Sequence, residues 1–145
     1  MNPIFDYRLH LDLPCDRRFG RRVPVVELWV SGKEHVFQRV TAICDSGASR
    51  TLLSKPTYER LRFNIDPEVD RLYPMNGLTG QIFYKRQLFH LRIDTVRRPP
   101  VHVVVNGGLT DDIEENLIGA DLTQYFALMV TYERVMLLGD PAGEE

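Results

Sequence analysis

Cysteine is almost missing from this chain of 145 residues, with Cys15 and Cys44 its only two. They form no CxxC and stand beside no histidine pair, which excludes a multi-bridge disulfide framework and a zinc ribbon within the chain. One bridge between them stays open, and a reduced pair is the expectation. The four histidines, His10, His35, His90 and His102, match no HExxH spacing, so no metal site is expected. An excess of one charge is missing too: 18 Lys and Arg face 20 Asp and Glu, a net charge of −2. That balance gives no electrostatic reason to expect a nucleic-acid partner or an anionic membrane surface. No stretch approaches the ~18 consecutive apolar residues that a membrane span needs. Residues Met1 to Arg18 scatter Asp6, Arg8, His10 and Asp12 among the apolar positions, so the continuous apolar segment of a secretory signal is lacking and a cytoplasmic address is the expectation. A G-x-S-x-G elbow, a Walker A lysine and a G-x-G-x-x-G turn are absent as well, which removes the serine hydrolase, nucleotide triphosphatase and dinucleotide readings.

What is present is a globular composition, 43% hydrophobic and 26% charged, at a length suited to one domain. The apolar residues recur mostly with a period of two. Tyr7, Leu9, Leu11 and Leu13 alternate with polar residues and predict a strand buried on one face. Arg17, Arg18, Arg21 and Arg22 flank Phe19-Gly20 in what reads as a polar, solvated loop. Val23 to Val30 and Val36 to Cys44 predict a hairpin turning over Ser31 to Glu34. Thr51 to Ser54 leads to a short helix over Pro56 to Phe63, with proline in its first turn. Arg71 to Asp94 predicts a long hairpin around Gly77 to Gly80. Pro99-Pro100 separates it from a strand at Val101 to Val105, which Gly107 and Gly108 are expected to close. Asp121 to Phe126 suits a short helix, and Ala127 to Thr131 with Val135 to Leu138 a last hairpin. The expectation is an all-β chain of eight to ten strands with two short helices, folded as a compact barrel or sandwich.

One carboxylate stands out. Asp45 follows the apolar strand Val40 to Cys44 directly and precedes Ser46, Gly47, Ala48 and Ser49, small residues that let a ligand or another backbone approach. Taken alone it also fits an Asx turn that merely ends a strand. The wider stretch from Ala42 to Leu53, with Asp45-Ser46-Gly47-Ala48, resembles the active-site loop of aspartic proteases. Asn116-Leu117-Ile118-Gly119-Ala120 is similar to the second hallmark of that superfamily, two apolar residues and a glycine opening a short helix. Between them, Met75 to Ile82 lies where the family carries its glycine-tipped flap. Only one Asp-Ser-Gly loop occurs, so the resemblance is to the single-lobe, retropepsin-like branch. It implies an all-β acid protease barrel with one or two short helices and a flap hairpin over residues 23–139, preceded by an extension with one strand over 1–22 and followed by a frayed tail over 140–145.

The resemblance also implies a chemistry. Two carboxylates must share a proton, and one chain supplies one, so the active form would be a homodimer joining two copies of Asp45 across a two-fold axis. One Asp45 would act as general base on a water while its protonated mate polarises the scissile carbonyl of a polypeptide substrate, with no cofactor and no acyl-enzyme. Ser46 would cross-link the two loops, and Gly47 would let the substrate backbone approach. Ala48 and Ser49, with Gly77, Leu78, Thr79 and Gly80 of the flap, would hold the substrate. Leu117, Ile118 and Gly119 would support the loop from beneath. The retroviral pattern often has an acid and an arginine where this chain has Ser49 and Ala120; Arg50 and Asp121, one position on, are expected to form a displaced pair. The N-terminal strand has three open roles: extending a dimer sheet, covering a sheet edge or occupying the cleft. A non-catalytic dimerisation or peptide-binding module with the same fold is the alternative function.

Overall fold

The computed structural model describes residues 8–14, 16–18, 21–45, 47–77, 80–95, 98–124, 127–130 and 134–139. Strand β1 (Arg8–Pro14) matches the expected alternating segment from Arg8 onward. The arginine-rich stretch expected to be a loop instead forms two short strands, β2 (Asp16–Arg18) and β3 (Arg21–Val23), with Arg17 opposite Arg22. Backbone pairing is made by N–H and C=O groups, and a run of charged side chains does not report on it.

The next elements build the barrel wall. Strands β4 (Val25–Ser31) and β5 (Phe37–Cys44) form the predicted hairpin, from Val25 opposite Ile43 to Ser31 opposite Phe37. Val26, Leu28 and Val30 point inward while Glu27 is exposed, the period of two that the sequence shows. Strand β6 (Leu52–Ser54) runs straight into helix α1 (Lys55–Arg60), with Pro56 in its first turn. Strands β7 (Tyr73–Gly77) and β8 (Gly80–Thr95) form the long hairpin. Strand β9 (Arg98–Thr110) follows, then β10 (Leu117–Ile118) and the short helix α2 (Ala120–Thr123). Strands β11 (Ala127–Val130) and β12 (Arg134–Gly139) make the last hairpin. Cys15 and the tail over 140–145 lie outside the described residues.

Strand β9 departs from expectation at both ends. It begins before Pro99-Pro100, and it runs through Gly107 and Gly108 to Thr110. These glycines do not end the strand; they let it pass close to its neighbours. A Cβ on Gly107 would meet the Thr51 carbonyl oxygen at 2.4 Å, and one on Gly108 would meet the Tyr84 ring at 2.6 Å. Both prolines sit at the strand's start, where a missing N–H is tolerated.

The main sheet has the order β4-β5-β10-β6-β9-β8-β7, and an added β4–β8 pairing, Val30 opposite Leu91, closes six of these strands into a ring. Two of its junctions are parallel: β10 with β5 and β6 with β9. Inside the ring lie Phe89, Leu91, Ile93, Leu109, Ile118 and Leu122, all nearly inaccessible to solvent. Each such side chain contributes about 1.5–3 kcal/mol relative to exposure. A second, smaller cluster under the long hairpin gathers Leu52, Ile82 and Tyr84, with Tyr73, Met75 and Leu117 against them. A separate sheet of order β1-β12-β11 sets β1 antiparallel along β12, with Leu13 opposite Val135. The N-terminal strand therefore covers a sheet edge of its own chain. Among the described residues, no helix is long and apolar enough to cross a membrane.

Candidate active site

Asp45 is the first residue beyond β5, and its position is set from both sides of that strand's end. Cys44 N–H donates to the Pro24 carbonyl at 2.8 Å, and Asp45 N–H donates to the Ile118 carbonyl at 3.0 Å. The late apolar pair, Leu117 and Ile118, lies parallel to Ile43 and Cys44, so β10 is the rail along which the carboxylate is delivered. The loop then tightens on itself. Gly47 N–H donates to Asp45 Oδ1 at 2.9 Å and Ala48 N–H to the Asp45 carbonyl at 3.1 Å. Asp45 is half-buried, Gly47 and Ser49 are exposed, and Ala48 is buried. Ser46 lies outside the described residues, as do Leu78 and Thr79.

Two crossings lock this loop to the end of β10. The Ala48 carbonyl accepts from Ala120 N–H at 2.9 Å. Gly119 packs so closely on the Arg50 backbone that a Cβ there would fall 2.5 Å from the Arg50 carbonyl carbon and oxygen. A glycine is needed here for space, since any side chain would collide with main-chain atoms that cannot rotate away.

The expected Arg50–Asp121 pair does not form. Asp121 does tie α2 to the loop, but through the neighbouring residue: Thr51 N–H donates to its Oδ2 at 2.8 Å and Thr51 Oγ1 to its Oδ1 at 2.7 Å. Thr51 Oγ1 also accepts from Gly119 N–H at 3.3 Å. Arg50 points elsewhere, donating from Nη1 to the Asn106 carbonyl at 2.7 Å and lying over the Tyr84 ring at 5.3 Å. Both oxygens of Asp121 are taken by Thr51, and the Arg50 guanidinium is held by Asn106 and Tyr84 instead.

Sequence reasoning missed Asn116. This residue is 8% exposed, and its amide is fully used. Its Oδ1 accepts from Ser54 N–H at 2.8 Å and Ser54 Oγ at 3.1 Å, while its Nδ2 donates to the Thr41 carbonyl at 3.0 Å and to Thr57 Oγ1 at 2.9 Å. Two donors and two acceptors are the whole capacity of the group. Its own carbonyl accepts from Ile43 N–H at 2.8 Å, so one residue joins β5, β6, α1 and the start of β10. The signal available in sequence was only a polar residue preceding two apolar ones.

The long hairpin approaches the loop through Met75, whose Sδ accepts from Ser49 Oγ at 3.6 Å. Gly77 pairs with Gly80 at the hairpin's end, and Gly80 has φ +126, a conformation that L side chains resist. The hairpin's root is anchored more firmly. Phe83 N–H donates to Asp112 Oδ2 at 2.8 Å, and Thr110 Oγ1 donates to the Phe83 carbonyl at 2.6 Å. Nearby, Tyr58 donates to Asp111 Oδ1, and burial together with that carboxylate pushes the phenol well above its ordinary value. At the start of the hairpin, the Asp66 N–H and Lys85 hold the Asp70 carboxyl below the usual range. Among the described residues, no three His, Cys, Asp or Glu side chains gather as a metal site would require.

The comparisons fit this geometry. The family model described as aspartyl protease matches residues 26–122, a span that contains the Asp45 loop, the long hairpin and Gly119. Among solved structures, the chain is similar to a retropepsin-like aspartic protease from Rickettsia conorii, with TM-score 0.58 and 16% identity over 87% of this chain and 98% of that one. It is also similar to EIAV protease complexed with the inhibitor HBY-793, with TM-score 0.48 and 18% identity over 75% of this chain and 92% of the other. No curated protein matches the chain. An all-β, single-lobe, retropepsin-like barrel, matched by the family model over more than half its length, makes this chain a member of the aspartyl protease family.

Proposed function

We propose that the chain is an aspartic endopeptidase that works as a homodimer on extended polypeptide. The observation that carries this reading is the carriage of Asp45: a half-buried carboxylate at the end of β5, held by the Ile118 carbonyl at its own N–H and by Gly47 N–H at Oδ1. A turning loop held this tightly can present one carboxylate oxygen in a fixed direction, which is what a shared-proton dyad requires of each half.

In the dimer, Asp45 and the partner's Asp45 hold one proton between them, because two adjacent carboxylates do not both ionise easily. The ionised member takes a proton from a water, whose oxygen attacks the scissile carbonyl carbon. The protonated member gives its proton to the carbonyl oxygen. The resulting gem-diol collapses as the C–N bond breaks, and the leaving nitrogen takes up a proton, yielding a carboxylic acid and an amine. Gly47 leaves room for the substrate backbone. Ala48 and Ser49 border the bound peptide. The β7–β8 hairpin, tipped by Gly77 to Gly80 with Leu78 and Thr79 between, closes over it as a flap. Main-chain hydrogen bonds along the peptide give affinity and side-chain contacts give preference.

The test is cleavage of a mixed, denatured protein across about pH 3–7, with oligomeric state recorded alongside and Asp45→Asn compared with wild type. Loss of cleavage in the variant with the dimer retained supports the reading. A folded dimer inert at every pH refutes it and favours the peptide-binding module.

A further inference from the structure

An unbalanced group of cations gathers at one face of the β7–β8 hairpin, with Arg86 in β8, Arg71 just before β7 and Arg50 in the Asp45 loop. Tyr73 stands opposite Tyr84 and Met75 opposite Ile82, so these four share a face, and the contact of Met75 with Ser49 turns that face toward the Asp45 loop. The two tyrosine rings lie 6.0 Å apart. Over Tyr73 sit two guanidiniums, Arg71 at 4.8 Å and Arg86 at 3.9 Å from the ring centroid. Over Tyr84 sits a third, that of Arg50, at 5.3 Å.

Among the described residues, no carboxylate pairs with any of the three. Arg50 donates to a neutral carbonyl, that of Asn106. Asp70 is taken by Lys85 at 3.1 Å, and Asp112 by the Phe83 N–H. Continuing the hairpin register by two residues sets Arg71 opposite Arg86, and like charges directly opposite each other oppose strand pairing. The tyrosine faces offset part of that repulsion. An anion brought to the pair would remove the rest.

We propose that Arg71 and Arg86, aided by Arg50, form a subsite for an acidic side chain of the polypeptide substrate, remote from the scissile bond. This rests on the reading of the site as a protease. Arg71 lies four positions before Met75, about 13 Å along an extended chain. A substrate strand running beside the hairpin covers that span with roughly four residues. The favoured peptide therefore carries Asp or Glu three to five positions from the cut, and the two-fold axis of the proposed dimer repeats the subsite on the other side of the bond. A carboxylate presents two oxygens to paired guanidiniums, a geometry that a lysine or a neutral amide does not match.

The experiment uses the full chain and a peptide whose cut has been mapped on a denatured protein, synthesised with Glu, Gln or Lys at each position up to five residues from the bond. Rates are measured at about pH 6, where a peptide glutamate is ionised. At one position on each side of the bond the Glu peptide is expected to exceed the Gln peptide about tenfold in kcat/KM, with the ratio shrinking as salt rises. In Arg71→Gln/Arg86→Gln the ratio falls toward one. In Arg71→Glu/Arg86→Glu the preference turns to the Lys peptide, which a merely structural role would not produce. Arg62→Gln, whose parent side chain pairs with Glu34 away from the hairpin, keeps the wild-type ratio. Equal rates for Glu and Gln at every position, or a ratio untouched in the folded double variants, overturn the subsite. If wild type cleaves nothing, the protease reading has failed separately. Fluorescence anisotropy of labelled, unstructured ten-residue peptides that differ only in Glu, Gln or Lys at each position then decides: a Glu preference lost in Arg71→Gln/Arg86→Gln supports the subsite, and equal binding overturns it.

Discussion

The Asp45 loop and the β7–β8 hairpin meet at Ser49 and Met75, yet they are held in different ways. The loop is crossed by main chain on two sides, at Ala48 with Ala120 and at Arg50 with Gly119, and Thr51 is clamped by both oxygens of Asp121. The hairpin is anchored at its root by Phe83, Thr110 and Asp112, and among the described residues it meets the loop through side chains, Met75 with Ser49 and Tyr84 with Arg50. Main-chain hydrogen bonds and close backbone packing hold the carboxylate's loop, whereas side-chain contacts join it to the hairpin. Local opening follows the density of such contacts, which is highest where the loop is crossed by main chain.

That contrast can be broken most severely at Gly119. Gly119→Val forces a side chain into the Arg50 backbone, with an expected loss of about 3 kcal/mol or more and no cleavage, read by urea denaturation and the peptide assay. Next comes Asn116→Leu, which strands Ser54 N–H and the Thr41 carbonyl. Buried groups left unpaired cost about 1–3 kcal/mol each, and a folded Asn116→Leu with unchanged stability would show that the strand junction does not depend on this amide. Asn116→Asp keeps the acceptors and should fall between the two. A smaller effect is expected at alkaline pH. Because Tyr58 ionises with more difficulty in the fold than its ordinary value of 10.0, its contribution is complete below that value. Above it, the unfolded chain loses the phenolic proton first, and stability declines as pH rises toward the folded value. Tyr58→Phe should therefore flatten the pH dependence of denaturation above about pH 10. Smallest is Ser49→Ala, with stability within about 0.5 kcal/mol of wild type. Its effect should appear in hydrogen exchange around Met75 and in KM, sharpening the contrast between loop and hairpin.

The two regions were also unequally legible in the sequence. Alternating apolar residues announced β4, β5 and the long hairpin, because one buried face imposes a period of two. The Asp45 and Gly119 stretches stood out through their resemblance to the aspartic protease pattern, and the physical reason at Gly119, a backbone crossing with no room for a side chain, is visible only in the fold. Contacts between side chains distant in sequence did not show. Arg50 and Asp121 are opposite in charge, yet the folded loop turns Arg50 toward Asn106 and gives Asp121 to Thr51. Gly107 and Gly108 looked like punctuation because their partners, Thr51, Phe89, Tyr84 and Leu52, are close only after folding. Asn116 heads the late motif, but nothing local shows its role, because its partners Thr41, Ile43, Ser54 and Thr57 come from three separate elements.

The bonds between Thr51 and Asp121 span 70 positions, and the parallel pairing of β10 with β5 closes a loop of comparable size. Closing so large a loop is entropically expensive and rewards the chain only when the last contacts form. During synthesis, residues as far as Asp121 must leave the ribosome before the carboxylate at position 45 is fixed in direction. A nascent or truncated chain that ends before β10 would carry the Asp-Ser-Gly stretch without its support, and would be expected to be inert toward its neighbours until the fold is complete.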